Sequence, residues 1–245
     1  MNPDKNSNSF LGYVPDPTRY EYSDNSPYEV QSIVSSLVSP YSRVLEIGCG
    51  TGALGKSLLL SKNIIYEGIE PSLERSKLAR TKGLTVHNSY LTNELIGKLG
   101  KYDSVILADV IEHIPDPSEL LDLTKPLLNA DGVLILSVPN VAHWSMRLSL
   151  LLGKFEYSQT GILDATHLRW FTKSSLIKYV ENCGFSVERV EVSSGYSLDA
   201  YRSFRRIFGH LLPLAWARFL LFRLCVFWPE FFACQFVCLC RVKKC

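Results

Sequence analysis

Short apolar strands alternate with helical segments along residues 44–138, and this alternation restricts the fold more than any other feature of the chain. Five apolar runs predict strands, at 44–47, 64–69, 84–87, 104–108 and 133–138. Helical patterns or caps separate several of them, at 53–60, 73–81 and 120–128. Strands joined by helices run parallel, because each connection must cross over the sheet. We therefore expect an α/β fold with a doubly wound, mostly parallel sheet.

Two stretches, residues 140–172 and 197–230, interrupt this alternation. Around them the pattern resumes with one helix and two strands, at 174–182, 185–192 and 231–242. Insertions between the late strands of an open sheet lie beyond the carboxyl ends of the strands, where ligands bind. We expect an N-terminal arm over residues 1–26, followed by one domain over residues 27–245 that carries both insertions.

The composition excludes several classes of protein. Of the 245 residues, 47% are apolar and 20% are charged, which is too apolar for a disordered chain. The sequence has no repeat of fixed period, as a solenoid or propeller would require. A formal net charge of +2 disfavours nucleic acid as a partner.

The first predicted strand ends in a glycine-rich turn. Glu46 is followed by Gly48, Gly50 and Gly52 at alternate positions, and a helix is predicted from Ala53. Glycines allow a tight turn and let a ligand lie against the backbone. Gly48, Gly50 and Ala53 also satisfy a loose form of the dinucleotide-binding pattern. Glu46 disfavours that interpretation, because a carboxylate repels a pyrophosphate and attracts a cation.

Glu70 closes the second predicted strand, about 20 residues after the glycine turn. A carboxylate in this position can accept hydrogen bonds from both hydroxyls of a ribose. The alternative is a solvated acid at the end of a strand. The spacing favours the ribose contact.

Residues 40–140 resemble the class I S-adenosylmethionine-dependent methyltransferases. The resemblance rests on three motifs in the family's order and spacing: the loop Glu46–Gly52, the acid Glu70 and the fourth-strand motif Tyr102–Pro117. It implies a Rossmann-like fold of seven strands, the last of them antiparallel, and S-adenosylmethionine as the cofactor. The later stretch Thr166–Thr172 is similar to a branch found beside polysaccharide and ubiquinone biosynthesis enzymes.

The resemblance also implies roles for single residues. Glu46 would lie near the methionine portion of the cofactor, and Glu70 would hold its ribose. The glycines at positions 48, 50 and 52 would pass beneath the cofactor. The family often has an acid after its third strand, near the adenine. Here Asn88 and Ser89 stand in that position, and either side chain can still hydrogen-bond adenine.

Asp109, Glu112 and His113 follow the fourth predicted strand at positions i, i+3 and i+4. On a helical turn these three side chains share one side, next to the expected methyl group. Asp109 is therefore a candidate for cofactor binding and for catalysis. Some similar O-methyltransferases bind a divalent metal with E-x-x-E-H, and the D-x-x-E-H of this chain keeps that ligand chemistry. Many metal-free relatives carry a similar E-H pair, so we favour a site without metal. Asp109, Glu112 and His113 are the candidate ligands of the alternative, a site with metal.

His113 and His167 are the candidate general bases. Methyl transfer to a hydroxyl requires removal of its proton, and histidine titrates in the suitable range. A buried structural histidine is the alternative for His167. Further candidate contacts are His143 and Trp144 at the acceptor, and Tyr20 and Tyr22 over the cofactor.

The C-terminal part of the chain, from residue 197 onward, is both basic and apolar. It holds eight basic and two acidic residues, so its net charge is +6. Residues 211–228 are apolar nearly all round, yet too short and interrupted for a clear spanning helix. Three alternatives stay open: burial in the fold, which we favour slightly, a homodimer contact, or contact of residues 202–228 with an anionic membrane.

Seven cysteines without framework spacing, and a polar start without an apolar signal run, predict a cytoplasmic protein. Peripheral attachment to the membrane is the alternative. Four cysteines crowd the C-terminus without a C-x-x-C pair, at 234, 238, 240 and 245. We expect them to pack a terminal strand as small hydrophobic residues rather than to bind zinc.

The sequence therefore predicts methyl transfer from S-adenosylmethionine to a hydroxyl of a small-molecule, glycan or lipid-linked acceptor. A nicotinamide-dependent oxidoreductase is disfavoured by Glu46 and by the Asp109–His113 motif. A non-catalytic, membrane-docked module that keeps the cofactor fold is disfavoured because the loop, the ribose acid and the histidines are all present.

Overall fold

The computed structural model describes residues 26–196 and 213–244. Within these residues, seven strands form one sheet: β1 (Arg43–Ile47), β2 (Ile65–Ile69), β3 (Thr85–His87), β4 (Tyr102–Ala108), β5 (Leu128–Pro139), β6 (Phe185–Ser193) and β7 (Gln235–Val242). Their order across the sheet is β3-β2-β1-β4-β5-β7-β6. The first five strands are parallel, and β7 is antiparallel to both β5 and β6. The predicted mixed sheet with an antiparallel last strand is confirmed.

The helices of the described residues connect these strands. They are α1 (Val30–Leu37), α2 (Ala53–Ser61), α3 (Leu73–Thr81), α4 (Asn93–Ile96), α5 (Pro117–Thr124), α6 (Trp144–Leu151), α7 (Lys173–Asn182), α8 (Leu214–Phe227) and α9 (Pro229–Phe232). Two short 3₁₀ turns lie at Ile111–His113 and Lys125–Leu127.

Both faces of the sheet are buried, as expected for parallel strands between layers of helices. Successive residues of β1 show this, because Val44 and Leu45 are both fully buried but belong to different apolar clusters. The cluster around Val44 includes residues of α1 and α2. The cluster around Leu45 includes residues of α5, α7 and α8. The half of α8 that packs into the fold is therefore part of the main core.

Several boundaries differ from the sequence predictions. β5 begins at Leu128 rather than at residue 133, and a register shift between Tyr102 and Ser104 of β4 accommodates the added stretch. The last strand begins at Gln235 rather than at residue 231. Pro229 occupies the first turn of α9, where its fixed φ favours a helix.

Some predictions fall outside the described residues. These are the arm over residues 1–25 with Tyr20 and Tyr22, the part of the second insertion at 197–212, and Cys245. Of the other C-terminal cysteines, Cys238 and Cys240 are buried within β7, and Cys234 is buried just before it.

Candidate active site

A single large cleft opens at the carboxyl ends of β1, β2, β4 and β5. Its walls include the glycine turn, the end of β2, the Asp109–Ile114 segment and parts of the first insertion. The volume of about 1530 Å³ exceeds the roughly 300–1,000 Å³ of a usual small-molecule pocket. The cleft therefore has room for a nucleoside cofactor and an acceptor side by side.

The glycine turn is shaped by left-handed backbone. Gly48 has a φ of 75°, and a Cβ at this position would lie 2.7 Å from Cγ2 of Val110. Gly50 has a φ of 55° but would meet nothing within 4 Å, because it faces open space in the cleft. At position 48 glycine is needed because any side chain would clash with Val110 and strain the backbone. At position 50 the absence of a side chain leaves the backbone exposed to a ligand.

Glu70 ties the end of β2 to this glycine turn. Its Oε2 accepts a hydrogen bond from the N–H of Gly50 at 2.9 Å, and its Oε1 accepts one from the N–H of Ser72 at 2.9 Å. The residue is buried at the wall of the cleft. An ionised carboxylate has about four acceptor positions, so these two bonds leave capacity for ribose hydroxyls.

Glu46 lies at the floor of the cleft, where its carboxylate is buried. The hydroxyl of Tyr66 donates a hydrogen bond to Oε2 of Glu46 at 2.6 Å. Burial raises the pKa of Glu46 to about 7; the bond from Tyr66 opposes this shift, and the nearby charge of Glu70 adds to it. A cationic group arriving beside Glu46 would favour its ionised form.

The structure separates the two residues predicted near the adenine. Ser89 lines the cleft, and its hydroxyl donates to the carbonyl of Tyr90 at 2.7 Å. Asn88 instead bonds the carbonyls of Glu70 and Pro71 at 2.9 and 3.0 Å. The amide of Asn88 thus supports the turn after β2, and Ser89 is the one of the pair that faces the ligand space.

Asp109 follows β4 with a left-handed φ of 54°, which is uncommon outside glycine. Its Oδ1 accepts hydrogen bonds from the hydroxyl of Ser137 and from Nε2 of Gln235, both at 2.8 Å. Burial raises the pKa of Asp109, while these two donors oppose the shift. Sequence reasoning missed Ser137 and Gln235, because their contact depends on β5 and β7 pairing beside β4.

His113 and His167 meet across the cleft wall, with ring centroids 4.8 Å apart. Nδ1 of His113 lies 3.2 Å from the carbonyl of Thr166, and Nδ1 of His167 lies 3.0 Å from the carbonyl of Ile162. A carbonyl only accepts, so both Nδ1 atoms carry the hydrogen and both Nε2 atoms carry the lone pair. Burial and the neighbouring His167 lower the pKa of His113, which keeps its ring neutral.

Glu112 joins this pair with a carboxylate that is almost fully buried. Within the described residues, neither carboxylate oxygen has a hydrogen-bond partner. Burial raises the pKa of Glu112 well above its ordinary value, and the charges of Asp109 and Asp164 raise it further. The donor atoms of Glu112, His113 and His167 all lie within 4.8 Å of one another.

This cluster corrects the predicted set of cation ligands. The sequence spacing grouped Asp109 with Glu112 and His113, on the assumption of a helical turn. In the structure Oδ1 of Asp109 is engaged by Ser137 and Gln235, and His167 completes the group instead. His167 lies close to Glu112 because the backbone next to it is bonded there. The carbonyl of Glu112 accepts hydrogen bonds from the N–H groups of residues 168 and 169 at 2.7 and 3.0 Å.

His143 and Trp144, the candidate acceptor contacts, pack inside the protein and are not among the residues that line the cleft. His143 is fully buried at the start of α6, where its Nδ1 contacts the hydroxyl of Ser145 at 2.7 Å. Burial lowers the pKa of His143 to about 4. The wall of the cleft is formed by Ser145 and Met146 of the same helix, and Trp144 packs against the main core.

Comparisons with known proteins agree with this arrangement. A family model described as a methyltransferase domain matches residues 21–190. The chain is 33% identical to a ubiquinone biosynthesis O-methyltransferase of Haemophilus ducreyi over 108 residues, 40% of this chain and 45% of that relative. It is 27% identical to the enzyme of the same name from Xanthomonas axonopodis pv. citri over 191 residues, 74% of this chain and 77% of that relative. The first of these matches thus spans less than half of the relative's length.

Among solved structures, the chain is similar to 1,6-didemethyltoxoflavin-N1-methyltransferase of Burkholderia thailandensis, crystallised with S-adenosylhomocysteine and 1,6-didemethyltoxoflavin. The TM-score is 0.52 at 15% identity, covering 87% of this chain and 76% of that one. At this identity the likeness concerns the fold.

Proposed function

Because this chain belongs to the class I S-adenosylmethionine-dependent methyltransferases, we propose that it methylates a hydroxyl of a small-molecule, glycan or lipid-linked acceptor. The observation that carries this proposal is the position of the His113–His167 pair, in the same cleft as the glycine turn and Glu70. The cofactor side of the cleft and the two histidines thus face the same space.

The proposal gives each residue of the cofactor side a task. The carboxylate of Glu46 binds the ammonium of the methionine portion, and the bare backbone at Gly50 lies beneath the cofactor. Glu70 accepts from the ribose hydroxyls, and Ser89 bonds the adenine. Asp109, oriented by its two donors, faces the cofactor near the methyl group.

In the transfer itself, the acceptor oxygen attacks the methyl carbon from the side opposite to the sulfur. A new C–O bond forms while the C–S bond breaks, and S-adenosylhomocysteine leaves with the electron pair on sulfur. The acceptor proton passes to Nε2 of His113 or His167, whose Nδ1–H groups are held by backbone carbonyls. Holding the two reactants in line supplies much of the rate.

The same three side chains fit a divalent cation. Glu112 is a buried carboxylate without a hydrogen-bond partner in the described residues, and His113 and His167 both carry an Nε2 lone pair. A histidine that binds metal through one ring nitrogen typically donates a hydrogen bond from the other, as Nδ1 does in both of these rings. A cation held by Glu112, His113 and His167 would lower the pKa of the acceptor hydroxyl. In that case the acceptor hydroxyl would lose its proton more readily, the two histidines would serve as ligands in place of bases, and Asp109 would keep its place beside the cofactor.

The cysteines support the predicted compartment. Six described cysteines are free thiols, and five of these are buried. Unpaired thiols of this kind fit the reducing cytoplasm.

The test is calorimetric titration of the purified chain with S-adenosylhomocysteine and with NAD in parallel. We expect saturable binding of S-adenosylhomocysteine and no heat from NAD. Binding of NAD with no response to S-adenosylhomocysteine would overturn the proposal in favour of an oxidoreductase. Transfer of a labelled methyl group to candidate phenols, sugars and lipid-linked hydroxyls then identifies the acceptor.

A further inference from the structure

Helix α8 packs into the fold along one narrow stripe. Ala217, Leu221 and Cys225, four residues apart, are the buried side chains of this helix. Beside them the ring of Phe222 stacks on Tyr28 at 4.6 Å. The favoured sequence interpretation, burial in the fold, therefore holds for this stripe only.

The opposite face of α8 is exposed and apolar. Its members are Trp216, Phe219, Leu220, Leu224, Val226 and Phe227. Trp216 is 61% exposed and Phe227 is 83% exposed. A helix on the surface of a globular protein normally turns polar residues outward. A contiguous exposed patch of this kind marks a surface that binds a partner.

This apolar face continues to the rim of the cleft. Trp228, which follows α8, stacks on Phe231 with ring centroids 4.7 Å apart. The guanidinium of Arg147, in α6, lies 5.6 Å from the centroid of the Phe231 ring. Leu150 and Leu151 stand on the Arg147 side of α6, and Leu151 is 82% exposed.

The other side of α6 belongs to the cleft, because Met146 and Ser149 line it. One helix thus separates the cleft from the apolar face. A partner seated on that face lies next to the mouth of the active site.

The described charges around this face are mostly positive, and its acid Glu230 is paired with Lys173 at 3.7 Å. Arg223 lies exposed among the apolar residues of α8, and Arg147 is exposed beside Phe231. Helix α8 contains no acidic residue. An apolar face with a cationic surround matches an anionic bilayer, where arginines meet phosphates and aromatic rings enter the boundary with the acyl chains.

A second copy of the chain fits this face less well. A symmetric dimer brings the same patch of both subunits together. Arg223 would then approach the other Arg223, and α8 offers no acid to pair with either. The bilayer supplies the opposite charge.

We propose that the docking surface, formed by the exposed face of α8 with Trp228, Phe231 and the Leu150–Leu151 end of α6, binds an anionic lipid bilayer. None of the helices in the described residues is long and apolar enough to cross a membrane. With 14 residues α8 is about 21 Å long, so it lies along the surface. Docking sets the mouth of the cleft at the lipid boundary, which singles out the lipid-linked hydroxyl among the three acceptor classes.

This assignment of the acceptor rests on the proposed function, but the docking itself does not. The experiment is flotation of the full chain with vesicles of phosphatidylcholine alone and of phosphatidylcholine with phosphatidylglycerol, without cofactor or acceptor. We expect the protein to float with the anionic vesicles at low salt and to be partly released at high salt. Titration with S-adenosylhomocysteine on the same samples reports the proposed function separately.

The decisive variant is the double substitution Trp216→Glu and Phe227→Glu, which should lower the floating fraction by about tenfold, since it replaces two inserted rings with anions. The matched control is Leu60→Glu with Ile65→Glu, which alters two exposed apolar residues, one near the end of α2 and one at the start of β2, away from the cleft. The control should float like the wild type. Leu151→Glu tests the α6 end and should weaken flotation without touching α8.

Wild-type protein that stays at the bottom with both kinds of vesicle overturns the proposal. So does equal flotation of the wild type and the Trp216→Glu, Phe227→Glu variant, provided that the variant still binds S-adenosylhomocysteine. A dimer in solution that the same double substitution converts to a monomer, with no flotation in either state, would assign the face to a second copy.

Discussion

The imidazole rings of His113 and His167 lie edge to face, 4.8 Å apart, although one belongs to the turn after β4 and the other to the end of the first insertion. Backbone bonds between the two segments hold them together, because residues 168 and 169 donate to the carbonyl of Glu112. Each ring is also fixed by a carbonyl at its Nδ1. These contacts at Nδ1 leave both Nε2 atoms available to a ligand or an acceptor.

Replacing either histidine with alanine should lower turnover and leave cofactor affinity unchanged. Loss of a general base typically costs between about a hundredfold and ten thousandfold in rate. Turnover is measured with the true acceptor, and affinity by titration with S-adenosylhomocysteine. His87→Ala is the matched control, because His87 bonds Glu67 outside the cleft. Full activity in both His113→Ala and His167→Ala would show that neither residue takes the proton.

Glu70→Ala should weaken binding of S-adenosylmethionine by roughly 2–3 kcal/mol, because a charged acceptor for two ribose hydroxyls is lost. Part of the effect comes from the glycine turn, since the variant also releases the N–H of Gly50. Calorimetry of the folded variant gives the number. Glu74→Ala, on the exposed side of α3, should bind like the wild type. Unchanged affinity in Glu70→Ala contradicts the ribose assignment.

Cofactor affinity should rise with pH and level off near the pKa of Glu46, about 7. Below that pH the carboxyl is protonated in the free protein, and binding of the cofactor ammonium requires the ionised form. Well below pH 7, each further decrease of one pH unit therefore raises the dissociation constant of the cofactor by about tenfold. Titration with S-adenosylhomocysteine between pH 5 and pH 8 measures the slope, and Glu46→Gln should bind weakly with no such slope. A slope that persists in Glu46→Gln would place the titrating group elsewhere.

The alternative to a histidine base, a divalent cation held by Glu112, His113 and His167, predicts that the purified protein takes up metal and that Glu112→Gln loses it. The reason is that the buried carboxylate has no other partner within the described residues. Elemental analysis after dialysis against zinc, manganese or magnesium measures the content. Glu119→Gln, at an exposed position of α5, serves as the control. Full turnover in the presence of a strong chelator, with equal metal content in wild type and Glu112→Gln, would leave the histidines as bases alone.

Local patterns predicted the parts of this fold and site that depend on neighbours in sequence. The turn at Gly48 and the acid at Glu70 could be predicted in this way, because the strand, the spaced glycines and the helix follow one another directly in the sequence. Helix α5 is of the same local kind, because Asp116 caps it by accepting a hydrogen bond from the N–H of Ser118, two residues later.

Features that depend on distant parts of the chain could not be predicted. Gln235 contacts Asp109 only because β7 pairs with β5. The sequence around either residue does not predict that pairing. His167 replaced Asp109 in the donor cluster for the same reason. His143 packs inside the protein because it caps α6, and its side chain accepts a hydrogen bond from the N–H of Ser145.

The strand β7 lies inside the sheet, between β5 and β6, although it follows both of them in the chain. During synthesis β5 and β6 therefore leave the ribosome before the strand that pairs with both of them. Until Gln235 arrives with β7, two strand edges are unpaired and Asp109 is without its amide donor. The arrangement of Asp109 beside the cleft is therefore completed late in folding, by a strand that no earlier part of the sheet can replace.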